Sequence, residues 1–308
     1  MERALDRGLA ITQPELVSYE DDLSKLSPIG VFDSGSGGLT VYKALRARLP
    51  NESFVYLGDT ARLPYGTKSS ETVGQYVLQA AQLLLQEDVK LLVIACNTAS
   101  ALALRLLQAN LPSMPCFGVI EPGAEAAVAA SKRGHIAVMA TESTVRSGAY
   151  EDAILKRRPD ANIRMLACNL LVGLVEEGWW EGTEAEIVTG RYLKALGKPG
   201  EDYDTLVLGC THFPLLAPVI RRLTADAVPV IDSAVTTAIA VQRHLEASDT
   251  QTTRAAPGSS RFLVTDSPER FNGLAARLAG GDGFETGSTV FHVSIGTAEG
   301  KAVPGRGR

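Results

Sequence analysis

The sequence predicts an α/β protein of two pseudo-symmetric three-layer domains with mainly parallel sheets. Short apolar runs alternate with segments of helical periodicity along most of the 308 residues. The alternation restarts near residue 136, and each of the two runs contains one apolar strand that ends in a cysteine. Strands that alternate with helices form parallel sheets with helices on both faces, so two such runs indicate two related domains.

The first run of elements begins at Pro28. Apolar runs predict strands at residues 29–32, 54–57, 89–95 and 117–119. Apolar residues at helical spacing, beginning with Leu39, Tyr42 and Leu45, predict helices at residues 39–49, 73–84 and 99–108. Pro122 is well placed to begin the next helix, because proline is favoured in the first helical turn.

The second run repeats this pattern. The predicted strands are at residues 136–140, 162–166, 205–209 and 229–231. The predicted helices are at residues 145–156, 170–178, 184–196, 215–223 and 234–245. A Ser-, Thr- and Gly-rich loop is expected at 248–260, followed by a last strand and helix within 261–279.

These patterns divide the chain into four parts. We expect an N-terminal extension at residues 1–27, where charge is mixed and periodicity is weak. The first domain is expected to comprise residues 28–120 and 233–295, and the second residues 121–232. Residues 296–308 are predicted to be a disordered tail.

Composition excludes several classes of protein. A net charge of −5 gives no basic footprint for nucleic acid. The apolar runs are too short to cross a bilayer, and no secretory signal precedes them, so we predict a cytoplasmic protein without membrane partners. The four cysteines and four histidines show no metal-ligand spacing, so no metal is expected.

Cys96 and Cys210 occupy matching positions in the two runs. Residues 92–98 (LVIACNT) align with residues 206–212 (LVLGCTH), and each cysteine stands where a buried strand turns into a helix. Ligands of parallel sheets bind at that edge, and the N–H groups of a helix N-terminus stabilise thiolates. A buried cytosolic cysteine is more often simple packing, which we retain for Cys116 and Cys168.

A matched pair of thiols suits racemisation. Inverting an α-carbon requires removal of its proton from one face and return of a proton to the other. Two opposed groups, one thiolate and one thiol, do this without motion of the substrate, and a thiol can be a base near neutral pH if its surroundings stabilise the thiolate. We therefore expect an active site in the cleft between the domains.

Asp33 and His212 are candidate partners of the two thiols. Asp33 ends the strand expected beside Cys96, where it would relay a proton or bind the substrate ammonium. Its alternative role is to cap the following helix. His212 lies two residues beyond Cys210, although a histidine in such a turn is often only a satisfied polar residue.

Two glycine-containing turns complete the pattern. Residues 33–38 (DSGSGG) lack the third glycine of a dinucleotide site, because Thr40 stands there, and the Gly-Lys pair of a P-loop. Their glycines are expected to allow close backbone approach and to leave N–H groups open to a carboxylate. Residues 64–66 (PYG) are either a structural loop or a wall of the cleft that offers the Tyr65 hydroxyl and the Gly66 N–H.

The motifs together resemble those of the glutamate racemases, in the aspartate/glutamate racemase family. The resemblance rests on DSGSGGLTV at 33–41, PYGTKS at 64–69, ACNTAS at 95–100 and GCTHFPLL at 209–216, and runs in order to about Leu278. It implies a site between two domains, no PLP, metal or other cofactor, and a role in supplying D-glutamate for peptidoglycan.

By this resemblance, Cys96 would take the α-proton of D-glutamate and Cys210 that of L-glutamate. Asp33 would assist Cys96, and His212 with Glu176 would assist Cys210. Glu177 is the alternative to Glu176, and such a pair is most often a solvated helix face. The substrate contacts implied are Asp33, Ser34, Pro64, Tyr65, Gly66, Asn97, Thr98, Thr141, Thr144, Thr211 and His212.

Two partners are also expected. We predict a homodimer. Some longer members of the family use an N-terminal extension in activation by a cell-wall precursor, so residues 1–27 are a hypothetical effector element.

Three competing functions remain open at the level of sequence. Aspartate racemases share the overall plan but carry Glu where this chain has His212. A thiol hydrolase would use Cys210 and His212 and leave Cys96 without a role. A non-catalytic protein of two domains could close on an amino acid without exchanging its α-proton.

Overall fold

The computed structural model describes residues 25–278 and 290–295. Of the predicted N-terminal extension, only residues 25–27 belong to this part of the chain. The predicted disordered tail at 296–308 lies outside the described residues.

The described strands form two parallel sheets. In chain order they are β1 (Ile29–Asp33), β2 (Phe54–Gly58), β3 (Leu91–Ile94), β4 (Cys116–Gly118), β5 (His135–Ala140), β6 (Asn162–Ala167), β7 (Thr205–Gly209), β8 (Val230–Asp232), β9 (Ser260–Val264) and β10 (Val290–His292). The first sheet has the order β10-β9-β2-β1-β3-β4, and the second has the order β6-β5-β7-β8. The predicted α/β class with parallel sheets is confirmed.

Helices connect the strands throughout. They are α1 (Leu39–Arg48), α2 (Ser70–Leu85), α3 (Asn97–Asn110), α4 (Ile120–Ala130), α5 (Glu142–Ser147), α6 (Ala149–Leu155), α7 (Asn169–Glu176), α8 (Gly182–Leu196), α9 (Ala217–Leu223), α10 (Ser233–Ala247) and α11 (Pro268–Leu278). Short 3-10 turns cover Tyr65–Thr67 and Phe213–Leu216.

The two sheets share one winding pattern. In the first, β1 lies between β2 and β3, with β4 beyond β3; in the second, β5 lies between β6 and β7, with β8 beyond β7. The strand before Cys96 and the strand before Cys210 therefore occupy equivalent places. This topology confirms the internal repeat seen in the sequence, although the exact domain limits stay a prediction.

One cluster of buried apolar side chains spans both sheets. Every residue of β1, β2, β3 and β7 is buried, as expected for parallel strands covered by helices on both faces. One apolar cluster includes Ile29 of the first sheet, Val138 of the second, and Val241 of α10. Helix α10 thus returns the chain to the first sheet after β8.

One predicted helix is wrong in its extent. The helix expected at 145–156 is divided into α5 and α6 by Gly148, which has a φ of 69°. Only glycine adopts this left-handed conformation at little cost, so the helix breaks there. The apolar periodicity continues through the break, which is why the pattern suggested one helix.

Replacing Gly148 by alanine is expected to lower the free energy of unfolding by about 1–2 kcal/mol. The cost arises from the backbone alone, because a Cβ at Gly148 meets no atom within 4 Å. Urea denaturation of the two proteins measures the change.

Gly273→Ala is the matched control. Gly273 lies inside α11, its added Cβ also meets nothing within 4 Å, and its φ is not positive. Alanine should therefore raise the free energy of unfolding, by up to about 1 kcal/mol. Changes of equal sign in the two variants would contradict this account.

Candidate active site

The carboxyl edges of both sheets border one cavity of about 800 Å³. Cys96 follows β3 by two residues, and Cys210 directly follows β7. Both sulfur-bearing residues line this cavity. The charge on Cys210 also raises the pKa of Cys96, so the two thiols lie within electrostatic range of each other. The structure thus brings together the two cysteines that the sequence singled out.

Most of the other predicted site residues line the same cavity. They are Ser34, Pro64, Tyr65, Gly66, Asn97, Thr98, Thr141, Glu176, Thr211 and His212. Asp33 and Thr144 are the exceptions, because both are completely buried and neither is among the lining residues.

The Cys96 sulfur caps the N-terminus of α3. It accepts a hydrogen bond from the Ala99 N–H (3.5 Å) and donates one to the Ser34 hydroxyl (3.4 Å). Burial, together with the nearby charge of Asp33, raises the pKa of the Cys96 thiol to about 12. Cys96 is therefore a protonated thiol at neutral pH.

The Cys210 sulfur lies against an imidazole. His212 Nδ1 is 3.7 Å from Cys210 Sγ, and His212 Nε2 is 2.6 Å from Glu176 Oε1. Burial alone would lower the pKa of His212, but its hydrogen bonds to Cys210 and Glu176 outweigh burial and raise that pKa well above its usual value. The imidazole is thus placed to exchange a proton with the Cys210 sulfur.

Glu176, and not Glu177, faces the histidine. Burial would raise the pKa of Glu176, but the hydrogen bond and charge of His212 outweigh it and lower that pKa. Glu177 is exposed and forms a 3.5 Å ion pair with Arg270 on α11. The chain Cys210–His212–Glu176 is therefore continuous, and the ambiguity between the two glutamates is removed.

Asp33 lies behind the cavity wall at the end of β1. Its Oδ2 accepts a hydrogen bond from the Gly35 N–H (2.9 Å), and within the described part of the chain Oδ1 has no hydrogen-bond partner. Burial raises the pKa of Asp33, while the charge of His212 opposes this effect. The N-cap residue of α1 is Gly38, so Asp33 is not itself the N-cap of this helix. Its carboxylate nevertheless interacts with the backbone N–H of Gly38, which lowers the pKa of Asp33 against the effect of burial.

The glycines of residues 35–38 permit close approach, as expected. A Cβ on Gly37 would lie 2.5 Å from the His212 ring, and one on Gly38 would lie 2.4 Å from Asp33 Cβ. Any larger residue would displace these side chains. The turn therefore packs against functional groups of both halves.

The expectation that Tyr65 offers its hydroxyl to the cleft is wrong. That hydroxyl donates a short hydrogen bond to Asp59 Oδ2, which also accepts from Arg62 Nε at 2.6 Å. Thr265 donates to the other Asp59 oxygen at 2.9 Å. Asp59 thus anchors the turn at 65–67. Tyr65 borders the cavity, but its hydroxyl proton is used in the hydrogen bond to Asp59.

Threonine hydroxyls link the two halves at the cavity. Thr141 Oγ1 is 2.9 Å from the Oγ1 atoms of both Thr98 and Thr144. Thr144 therefore supports the Thr141 hydroxyl from the side away from the cavity. Asn97 Oδ1 accepts a hydrogen bond from the Tyr150 hydroxyl (2.8 Å), and its Nδ2, without a partner among the described residues, is a donor available to a ligand.

Cys116 and Cys168 do not line the cavity. Their thiols donate to the carbonyls of Met114 (3.3 Å) and Leu166 (3.4 Å). Burial raises the pKa of Cys116 to about 11 and, with the charge of Cys210, that of Cys168 to about 12. Both fit the packing role expected of them.

Sequence reasoning missed several residues of the site. Ser36, Thr40 and Tyr150 make hydrogen bonds to Glu176, to the Thr211 carbonyl and to Asn97. The outer wall of the cavity contains Leu63, Leu170, Trp179, Arg270, Phe271 and Leu274. The wall residues Arg270, Phe271 and Leu274 come from α11, whose sequence carries only an amphipathic pattern and no chemical motif.

Comparison with known proteins places the chain in a family. The family described as Asp/Glu/Hydantoin racemase matches residues 29–242, more than half of the chain. The chain belongs to this racemase family. Among its relatives, the glutamate racemase of Geobacter metallireducens is 47% identical over 253 residues, which cover 82% of this racemase and 93% of that protein.

Solved structures of glutamate racemases resemble this racemase closely. Isoform RacE1 of Bacillus anthracis has a TM-score of 0.82 at 38% identity, with 88% of this chain and 98% of that chain covered. The Francisella tularensis enzyme in complex with D-glutamate has a TM-score of 0.80 at 34% identity, with the same coverage. The Escherichia coli enzyme in complex with L-glutamate and the activator UDP-MurNAc-ala has a TM-score of 0.67 at 28% identity, with 84% and 96% covered.

The described residues offer neither a metal site nor a membrane-spanning helix. No group of three or more His, Cys, Asp and Glu side chains in this part of the racemase could hold a metal ion. Over the same residues, no helix is both long and apolar enough to cross a membrane.

Replacing Glu176 by glutamine should lower the pKa of His212. The neutral amide removes the charge that holds the imidazolium proton, so the variant should lose this proton at a lower pH than the unaltered protein. NMR titration of the histidine ring signals, with the His212 signal assigned through His212→Asn, measures the shift.

Glu177→Gln is the matched control for this titration. Glu177 is the next residue, is exposed and pairs with Arg270 instead of His212. The pKa of His212 should therefore stay unchanged in this variant. An equal shift of the His212 pKa in both variants would contradict a specific contact between Glu176 and the imidazole.

Proposed function

We propose that this racemase interconverts L- and D-glutamate with two thiols and without a cofactor. The observation that carries the proposal is the equivalent placement of Cys96 and Cys210. Each follows the same strand of one repeated unit, and both line one cavity. Two acid/base groups of the same kind, delivered by related halves, suit a reaction whose substrate and product are mirror images.

The two thiols have opposite electrostatic surroundings. Burial and the carboxylate of Asp33 raise the pKa of the Cys96 thiol. Beside Cys210 lies instead the His212 imidazole, whose own pKa is raised. This difference supports a first state in which Cys96 is the proton donor and Cys210, beside the imidazole, is the base that acts on the L-enantiomer.

Each turnover moves two protons. The Cys210 thiolate takes the α-proton of L-glutamate and leaves a carbanion, and the Cys96 thiol gives its own proton to the opposite face. D-Glutamate leaves an enzyme with Cys210 as thiol and Cys96 as thiolate. Proton exchange with water through His212 and Asp33 would restore the first state, and D-glutamate would reverse the sequence of steps.

The cavity offers neutral donors for the substrate carboxylates. The free Asn97 Nδ2 and the hydroxyls of Thr98 and Thr141 border it on the side of α3, and Thr211 borders it beside Cys210. Relatives named glutamate racemase and the D-glutamate complex of the Francisella tularensis enzyme support glutamate as the substrate. D-Glutamate made in this way would supply peptidoglycan synthesis.

The competing functions fit these observations less well. A thiol hydrolase would use the Cys210–His212 contact but would leave Cys96 without a role at the same cavity. A binding protein would need neither thiol. Aspartate as the preferred substrate would not account for His212 where aspartate racemases carry Glu.

Effector binding and assembly are further parts of the proposal. The structure of the Escherichia coli enzyme contains the activator UDP-MurNAc-ala, which supports a cell-wall precursor as an effector of this racemase as well. Whether residues 1–27 take part stays a prediction, since most of them lie outside the described residues. The homodimer and the cytoplasmic location also stay predictions.

Incubation of this racemase with L-glutamate in D₂O, without added cofactor, should yield D-glutamate deuterated at the α-carbon. Cys96→Ala and Cys210→Ala should each lower the racemisation rate by about 10³-fold or more, because each removes one of the two proton carriers. Chiral chromatography and mass spectrometry measure the two outcomes.

Cys116→Ala and Cys168→Ala are the controls, since both thiols lie away from the cavity. Racemisation should persist in both variants at a rate close to that of the unaltered protein. Loss of activity in a folded control variant, or racemisation in D₂O without α-deuteration, would refute the two-thiol mechanism.

L-Aspartate should be a much poorer substrate than L-glutamate. Aspartate is one methylene shorter, so in a site fitted to glutamate one of its carboxylates would lose its hydrogen-bond donors. Loss of polar contacts of this kind costs about 10²-fold or more in kcat/KM. Polarimetry with each amino acid decides the question, and equal values would favour a broad amino-acid racemase.

A further inference from the structure

Ser36 connects the glycine-rich turn of the first half to the acid/base chain of the second half. Ser36 is only 4% exposed, and its hydroxyl donates to Glu176 Oε1 at 2.8 Å. The same oxygen is 2.6 Å from His212 Nε2. Oε1 of Glu176 therefore receives one contact from each half of the molecule.

The rest of the turn is fitted to the same group of residues. Gly37 lies so close to His212 that an added Cβ would be 2.5 Å from the imidazole ring. Thr40 Oγ1 donates to the Thr211 carbonyl at 2.9 Å, one residue before this histidine. The turn thus covers the histidine and its carboxylate partner.

We infer that Ser36 is a positioning residue, which fixes the Glu176 carboxylate and through it the imidazole that serves Cys210. This inference rests on the proposed racemase function and adds a residue to it. Among the described residues, the hydrogen bonds of the two sulfurs go to other residues, so the effect of Ser36 on Cys210 passes through Glu176 and His212.

The physical reason lies in the number of donors on one buried oxygen. A buried carboxylate is costly unless hydrogen bonds satisfy it. With Ser36, Oε1 is held from two directions and the carboxylate cannot turn away from the ring. Without Ser36, His212 is the single remaining contact on that oxygen among the described residues, so the carboxylate can rotate and the imidazole loses its fixed orientation.

The contact also joins the two halves of the molecule. Ser36 belongs to the turn that follows β1, whereas Glu176 and His212 follow β6 and β7 in the second half. The hydrogen bond from Ser36 therefore positions a carboxylate of the second half from the first half.

The experiment compares Ser36→Ala with Thr40→Val. Each variant removes one hydroxyl that bridges the halves, but Thr40 bonds only to backbone carbonyls and does not touch Glu176. The readouts are kcat/KM and the isotope effect of α-deuterium, measured separately with L-glutamate and with D-glutamate. Because enantiomers have an equilibrium constant of one, kcat/KM must change equally in both directions, and the isotope effects reveal which proton transfer has slowed.

Ser36→Ala should lower kcat/KM about tenfold, the loss typical of one hydrogen bond to a charged group. The isotope effect should rise for L-glutamate, whose proton goes to Cys210, and fall for D-glutamate, whose proton goes to Cys96. Thr40→Val should leave the ratio of the two isotope effects unchanged.

Two results would overturn the inference. Either an unchanged ratio in Ser36→Ala or the same change in Thr40→Val would reduce Ser36 to a contact that merely holds the halves together. Failure of the proposed function is separate, because it would appear in the unaltered protein as an absence of α-deuteration in D₂O.

Discussion

Parallel strands all end at the same edge of their sheet, and this constraint decides where the functional side chains of the racemase lie. Residues that follow β1 and β3 must be neighbours, as must residues that follow β5 and β7. Two sheets wound in the same order then supply matching positions on both sides of a cavity. The presence of one cysteine from each half at a single cavity is a direct product of this repeated geometry.

The repeated backbone carries side chains that are not repeated. Asp33 stands at the end of β1, but Ala140 holds the corresponding place at the end of β5. The second half has instead His212 and Glu176, which come from a 3-10 turn and a helix end. The repeated backbone therefore gives the two sulfurs equivalent positions, whereas the side chains that are not repeated give each sulfur different neighbours.

The sequence predicted the parts of the site that depend on strand ends. Cys96, Cys210 and Thr141 each follow an apolar strand, and such strands are readable from composition and periodicity. Glu176 could not be separated from Glu177 in this way, because the orientation of a residue at a helix end depends on tertiary packing. The structure decided between them through the contact with His212.

Other features depend on partners that are distant or unmarked in the sequence. The Tyr65 hydroxyl donates its hydrogen bond to Asp59, six residues earlier, and no periodic pattern in the sequence connects the two residues. Ser36 lies in a glycine-rich turn, and nothing in that sequence indicates which distant residue its hydroxyl contacts. Gly148 lies within a continuous apolar pattern, and only its backbone conformation shows that the helix ends there.

The burial of the Cys96 sulfur has a consequence for chemical damage. With a pKa of about 12, this sulfur holds its proton at neutral pH. Peroxides and alkylating agents react with the deprotonated form and hardly with the protonated one. Burial of the sulfur therefore slows its oxidation and its reaction with covalent inhibitors for as long as the proton stays in place.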